Sequence, residues 1–150
     1  MQIQTMPPAN VLFFTTRTTL NQISEHVITV AQQLYRECNK QQLLPTGPLY
    51  WIYYDLDGRP DTVFTLEIAL PVDRSPQAES LFLYKQLPPF KCAAVTHYGS
   101  WNNLPSVYAQ LVPQLLQNGE RLSNISRELY INIDLTEPAN NITLVQVGIE

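Results

Sequence analysis

The chain has 150 residues, of which 45% are hydrophobic and 15% are charged, and its formal net charge at pH 7 is −4. This length is typical of one domain with a sizeable apolar core, and the composition excludes a disordered protein. Lys and Arg are scattered rather than gathered into a basic stripe, which argues against nucleic acid as a direct partner. We therefore expect one globular domain over residues 1–150.

The ends of the chain and its cysteines carry no sign of export or of metal binding. No basic start followed by an apolar block opens the chain, and no apolar stretch reaches the length of a membrane-spanning helix. Cys38 and Cys92 lie far apart and lack CxxC spacing, so both are predicted to be buried thiols. We expect a cytoplasmic protein with no membrane partner, no metal site and no cofactor.

The first half of the chain predicts a strand, a helix and a hairpin, in that order. Residues 11–19 are β-branched and aromatic, and they lead into apolar residues at helical spacing. The residues of this helical stripe are Ile23, Val27, Val30 and Leu34. The helix is expected to end near residues 39–42, before a Pro-rich segment. Residues 49–56 and 62–72 then form two strands around a turn at 57–61.

The second half repeats this order after a linker at residues 73–87. Residues 90–99 are predicted as a strand, and residues 127–135 and 142–149 as a pair of strands. Between them lies a predicted helix, which Pro113 is expected to kink or shorten. The apolar residues of that helix are Leu104, Val107, Leu111 and Leu115.

Weak internal similarity links the two halves, at about residues 9–72 and 88–150. "LYWIYYDL" corresponds to "LYINIDL", and "TLEIALPV" corresponds to "TLVQVGI". A duplicated unit in which each half packs one helix on a shared sheet needs no further partner to form a core. The predicted fold is α+β: duplicated βαββ units form an antiparallel sheet with two long helices on one face and a ligand groove on the other.

Alternation along the strands assigns side chains to the two faces of this sheet. In residues 127–135 the apolar set that begins with Leu129 is predicted to be core, so the polar set lies on the face that the helices leave open. The residues predicted to line a groove on the open face are Tyr50, Tyr54, Glu67, Glu128 and Tyr130. Tyr rings attract aromatic and cationic groups, and a carboxylate neutralises a positive ligand. The alternative is an ordinary solvated face, because Tyr, Thr and Glu tolerate strands and water.

Residues 96–104, "THYGSWNNL", place two large aromatic residues at a strand-to-helix joint. The corresponding stretch of the first half, "TRTTLNQI", has neither the glycine nor the aromatic residues. Because this feature occurs in one half only, Tyr98 and Trp101 are predicted to form the rim of an asymmetric binding site rather than a generic turn.

Several short motifs in this order resemble the GyrI-like effector-binding family. They are "GPLYWIYYD", "LEIALPV", "AAVTHYGSWNNL" and "RELYIN". The resemblance implies a small-molecule binding domain in which Glu128, followed by Tyr130, meets cationic ligands. It also implies that Trp101 and Tyr98 line the mouth of the groove and that Tyr50 and Tyr54 contribute the opposite wall.

The resemblance also leaves alternatives. Some stand-alone relatives hydrolyse strained cyclopropane-bearing compounds, for which Glu128 and Tyr130 would supply acid-base chemistry. A protein-interaction module, for example a gyrase modulator, is a further alternative. We expect a stand-alone binding protein rather than an enzyme, with a lipophilic ligand that can carry a positive charge, and either a monomer or a dimer. Leu144 stands where many members have Glu, so the ligand can differ from a typical dication.

Overall fold

The computed structural model describes residues 1–26 and 29–150, in which eight strands and two α-helices form. The strands are β1 (Gln2–Met6), β2 (Ala9–Thr18), β3 (Leu49–Tyr54), β4 (Phe64–Pro71), β5 (Leu83–Leu87), β6 (Phe90–Tyr98), β7 (Leu122–Asn132) and β8 (Ile142–Ile149). The helices are α1 (Thr29–Gln41) and α2 (Leu104–Gln117), with short 3₁₀ turns at Ile23–His26, Trp101–Asn103 and Pro138–Asn140. None of the described helices is long and apolar enough to cross a membrane.

All eight strands belong to one sheet, in the order β1-β6-β8-β7-β3-β4-β2-β5. Every neighbouring pair is antiparallel, and the sheet curls into a half-barrel. The predicted α+β class, with an antiparallel sheet and two helices, is confirmed. β3 from the first half and β7 from the second half are paired neighbours at the centre of the sheet.

One face of the sheet, which we call the helix face, carries both helices. Trp51 on β3 is the cross-strand partner of Ile68 and of Glu128, and cross-strand partners share a face. Leu34 of α1 packs into the apolar cluster of this face beside β3 and β4. Leu111 of α2 packs with the β6 and β8 residues of the same face. The two helices therefore cover opposite ends of one surface.

The other face, which we call the back face, is closed by the curl of the sheet. Tyr50 pairs there with Ala69 and Leu129, and all three residues are buried. The residues of the back-face apolar cluster are Val11, Phe13, Tyr50, Ile52, Ala69, Leu87 and Leu129. The back face is thus a second core rather than an open, solvated surface.

The helices follow their predicted positions with two differences. α1 begins at Thr29 after a 3₁₀ turn and ends at Gln41, which is close to the predicted end. Val27, a member of the predicted stripe, lies outside the described residues. α2 continues through Pro113 to Gln117, so this proline does not end the helix.

Candidate ligand-binding site

A cavity of about 1250 Å³ lies on the helix face, between α1 and α2. Tyr35 of α1 and Tyr108 of α2 form parts of opposite walls, and Trp51 and Glu128 form part of the floor. The groove was expected on the face away from the helices, and that expectation was wrong. The physical reason is that the helices pack at the two ends of the sheet and leave its centre uncovered between them, while the curl of the sheet closes the back face.

Glu128 lies on β7 in the floor of the cavity and is only 5% exposed. Its Oε1 atom accepts hydrogen bonds from the hydroxyl of Tyr53 at 2.8 Å and from that of Tyr130 at 2.6 Å. Its Oε2 atom accepts a third from the hydroxyl of Tyr108 at 2.7 Å. A carboxyl group that accepts three O–H donors acts as an ionised carboxylate, since the protonated form would itself donate.

Three elements converge to build this hydrogen-bonded group. Tyr53 comes from the neighbouring strand β3, Tyr130 stands two residues along β7 on the same face, and Tyr108 projects from α2. Burial, reinforced by the nearby Glu128 carboxylate, raises the pKa of all three phenols well above their usual value. The phenols therefore stay protonated at neutral pH and hold the carboxylate in place.

The charge on Glu128 is not neutralised by a basic side chain. The described residues that line the cavity include no Lys, Arg or His, whereas Asp55 and Asp57 stand at its edge. The ion pairs formed by the described residues do not involve Glu128 either. A buried negative charge held only by neutral donors makes the cavity attractive to a cation.

Aromatic rings form a continuous wall beside the carboxylate. The Tyr130 ring lies edge-on to Trp51, with centroids 6.0 Å apart and an interplanar angle of 88°. It also lies edge-on to Trp101, with centroids 5.4 Å apart. Such T-shaped contacts fix the rings and leave neighbouring faces for a ligand, so the wall suits stacking and cation–π contacts.

The chain delivers Trp101 to this wall through the joint after β6. Gly99 has a φ of 122°, which side-chain-bearing residues rarely adopt, and its amide donates to the carbonyl of Asn141. Ser100 then caps the 3₁₀ turn, because its hydroxyl accepts from the amide of Asn102. His97 adds a contact between its Nε2 atom and the Ser100 carbonyl at 3.0 Å. The joint thus turns the chain sharply and points Trp101 into the cavity.

The structure divides the seven predicted site residues between different surfaces. Those that line the cavity are Trp101, Glu128 and Tyr130. Those that lie on the back face are Tyr50, Tyr54 and Glu67. Tyr98 is 73% exposed and is not among the lining residues. The register explains the division: Tyr50 pairs with Leu129, whereas its neighbour Trp51 pairs with Glu128.

Glu67 is held in a different way on the back face. Lys85 Nζ lies 2.7 Å from each of its carboxylate oxygens, and the hydroxyl of Tyr54 donates to Oε1 at 2.7 Å. Glu67 is 7% exposed, so its charge is buried and already neutralised by Lys85. Its partners leave no reason for it to recruit a cationic ligand.

The sequence-based prediction missed most of the cavity lining, including three aromatic residues beside Glu128: Trp51, Tyr53 and Tyr108. Trp51 and Tyr53 alternate with the predicted Tyr50 and Tyr54, so a change of register by one residue would have found them. Tyr108 lies four residues after Leu104, at the edge of the predicted apolar stripe of α2, and this spacing was the available signal.

Solved structures with this fold include a domain of a DNA-bound protein and a hydrolase. The C-terminal domain of EcmrR is 20% identical, with a TM-score of 0.80 over 99% of this chain and 96% of that chain. The chain spans 56% of the EcmrR chain in an EcmrR–DNA complex, with 99% of its own length matched, 20% identity and a TM-score of 0.83. At these identities the likeness establishes the fold.

Two further structures are similar at lower identity. SAV2435 bound to tetraphenylphosphonium is 16% identical, with a TM-score of 0.68 over 99% of this chain and 93% of that chain. A hydrolase encoded by lin2189 from Listeria innocua is 11% identical, with a TM-score of 0.67 over 99% of this chain and 91% of that chain.

Comparison with curated protein sequences gives no match. The model of one protein family, described as the GyrI-like small molecule binding domain, matches residues 1–150. The order of motifs in the sequence predicted this result. The chain therefore belongs to the GyrI-like family of small-molecule binding domains.

Proposed function

We propose that this domain binds lipophilic cations in the cavity between its two helices. The observation that carries the proposal is the environment of Glu128: a buried carboxylate, held by three phenols and facing an aromatic wall. In that setting a cation with apolar substituents gains both the attraction of the charge and the burial of its own surface.

The tyrosines make the carboxylate a preorganised partner. Each hydrogen bond to an ionised group contributes about 1.5–3 kcal/mol, so three of them offset much of the cost of burying the charge. They leave the net charge at −1, because phenols are neutral donors. A bound cation then completes the neutralisation without any rearrangement of Tyr53, Tyr108 or Tyr130.

The size and the charge of the proposed ligand follow from the cavity and its lining. A cavity of about 1250 Å³ accommodates a bulky molecule. Tetraphenylphosphonium, which SAV2435 binds, is a cation of this kind, with a single charge shielded by aryl rings. It is the probe that the proposal favours, and Glu128, Tyr130 and Trp101 are the predicted contacts, together with Trp51.

Binding is favoured over hydrolysis by the same hydrogen bonds. A general base needs a free lone pair directed at water, and Tyr hydroxyls occupy three of the roughly four lone-pair positions of Glu128, which leaves one at Oε2. The raised pKa of these phenols also makes them weak proton donors.

A protein partner such as gyrase, self-association and a cytoplasmic location stay predictions.

Tryptophan fluorescence tests the proposal, since Trp51 and Trp101 both line the cavity. Tetraphenylphosphonium is expected to change the emission saturably, whereas tetraphenylborate, which has the same shape and the opposite charge, is expected to leave it unchanged. Equal responses to the two ions would show a merely hydrophobic pocket. The absence of any response to tetraphenylphosphonium would contradict the proposed function.

A further inference from the structure

The back face carries a second charged group that the cavity does not use. Arg127 is 4% exposed, and Gln146 is fully buried at 0%. The two residues are cross-strand partners on β7 and β8, so their Cβ atoms lie about 5 Å apart and both side chains project to the back face.

Aromatic rings, rather than a carboxylate, contact the guanidinium of Arg127. Its central carbon lies 4.0 Å from the centroid of the Phe90 ring and 5.9 Å from that of Tyr50. Phe90 can sit there because residue 148 is glycine: a Cβ at Gly148 would lie 2.8 Å from the Phe90 ring. Within the described part of the chain no carboxylate forms an ion pair with Arg127.

Three side-chain atoms of this pair are buried and have no hydrogen-bond partner among the described residues. They are Arg127 Nε, Gln146 Nε2 and Gln146 Oε1. Buried polar atoms in folded proteins are nearly always hydrogen-bonded, so this group calls for an occupant. Two of the three atoms are N–H donors beside a full positive charge, and that combination selects an anion.

The acidic residue on the same face does not serve as this anion. Glu67 and Arg127 are both cross-strand partners of Ile52, which places them on either side of β3, roughly 10 Å apart at the strand spacing. Glu67 is already engaged by Lys85 and Tyr54. Glu67 is the weakest of the electrostatic neighbours of Arg127 and forms its ion pair with Lys85, so no carboxylate among the described residues contacts the Arg127 charge.

We propose that Arg127 and Gln146 bind a small monovalent anion inside the curled sheet, on the opposite face from the cavity. Arg127 supplies the charge and the Nε donor, Gln146 supplies a second donor from Nε2, and the Phe90 ring backs the guanidinium. The site is separate from the cavity, and its occupation does not depend on the proposed binding of cations.

Thermal unfolding in sodium chloride and in sodium gluconate at equal ionic strength tests this site. Gluconate is too large to enter the sheet interior, so the wild-type protein is expected to unfold roughly 2–4 °C higher in chloride. The variants Gln146→Leu and Arg127→Met are expected to lose this difference. Arg121→Met is the matched control, because it removes one positive charge from a side chain that is 85% exposed, and it should keep the difference.

Bromide provides a second readout that does not depend on the stability of any variant. In crystals of the wild-type protein soaked in bromide, an anomalous peak is expected within hydrogen-bond distance of Arg127 Nε and Gln146 Nε2. Equal unfolding temperatures of the wild-type protein in the two salts would overturn the proposal. A chloride effect that survives in both variants, or bromide peaks at the surface alone, would overturn it as well.

Discussion

The two faces of the sheet each bury one carboxylate, and they hold it by different means. Glu67 on the back face is paired with Lys85 Nζ at 2.7 Å from both oxygens and receives one hydrogen bond from Tyr54. Glu128 on the helix face receives three Tyr hydrogen bonds and no ion pair from the described residues. Their exposed fractions, 7% and 5%, are nearly equal, so burial does not distinguish them.

The difference lies in what remains unsatisfied. Glu67 has its counter-charge within the chain, so it contributes to folding and has no need of a ligand. Glu128 has hydrogen-bond donors but no counter-charge, and it opens into a cavity. The feature that supports a cation site is a carboxylate that is hydrogen-bonded but has no counter-charge. The residue type alone, as read in the sequence, does not show whether a counter-charge is present.

High pH should affect the phenols around Glu128 most strongly. Their folded pKa is raised above the usual 10.0, so they stay protonated while the unfolded chain ionises. The resulting stability is fully present below pH 10 and is lost as pH rises from there, by up to about 4 kcal/mol per pH unit for three phenols. Urea denaturation between pH 8 and about 11 measures this slope.

Tyr108→Phe should lower that slope by up to about 1.4 kcal/mol per pH unit, because it removes one phenol whose pKa is raised on folding. An unchanged slope in Tyr108→Phe would show that Tyr108 does not stay protonated in the folded protein beside Glu128.

Loss of the ion pair should destabilise the back face. Lys85→Met leaves Glu67 buried without a counter-charge. We expect the free energy of unfolding to decrease by about 2 kcal/mol. This decrease is smaller than for a fully buried pair, because Lys85 is one-third exposed. The double variant with Glu67→Gln should recover most of the loss. Urea denaturation checks both, and equal stability of Lys85→Met and the wild type would remove the distinction between the two carboxylates.

A single hydrogen bond to Glu128 should have a smaller effect. Tyr108→Phe is expected to lower the free energy of unfolding at neutral pH by about 1.5 kcal/mol, since the bond is to a charged group. Tyr35→Phe is the control: Tyr35 also lines the cavity, but no hydrogen bond of its hydroxyl is found among the described residues. Denaturant titration should show a loss in the first variant only, and similar losses in both would argue against a specific role for the bond.

The sequence carried enough information for the elements and for part of the site. Alternation in β4 placed Glu67 on the face away from the helices, and the structure has it there, because the alternate residues of that strand are apolar and pack under α1. In β7 the same reasoning put Leu129 under the helices and Glu128 away from them, and the structure has the reverse. Periodicity divides the residues of a strand between two faces. When both faces are buried, it does not tell which of them the helices cover.

Register and curvature account for the rest. One residue separates the predicted Tyr50 from Trp51, yet only the pairing with β7 determines which of them meets Glu128. The curl of the sheet, which buries Tyr50 and Ile52, depends on all eight strands together. Such long-range geometry leaves no local pattern in a single sequence. The joint around Gly99 and Trp101, in contrast, is a short local motif that can be recognised in the sequence.

Calorimetric titration with tetraphenylphosphonium tests the central claim most directly, using wild-type protein, Glu128→Gln and Glu67→Gln, each first shown to be folded. Loss of the buried counter-charge should weaken binding to Glu128→Gln by roughly 100-fold, while Glu67→Gln should bind like the wild type. Equal affinities for all three proteins, or a greater loss in Glu67→Gln, would contradict the assignment of the cation site to Glu128.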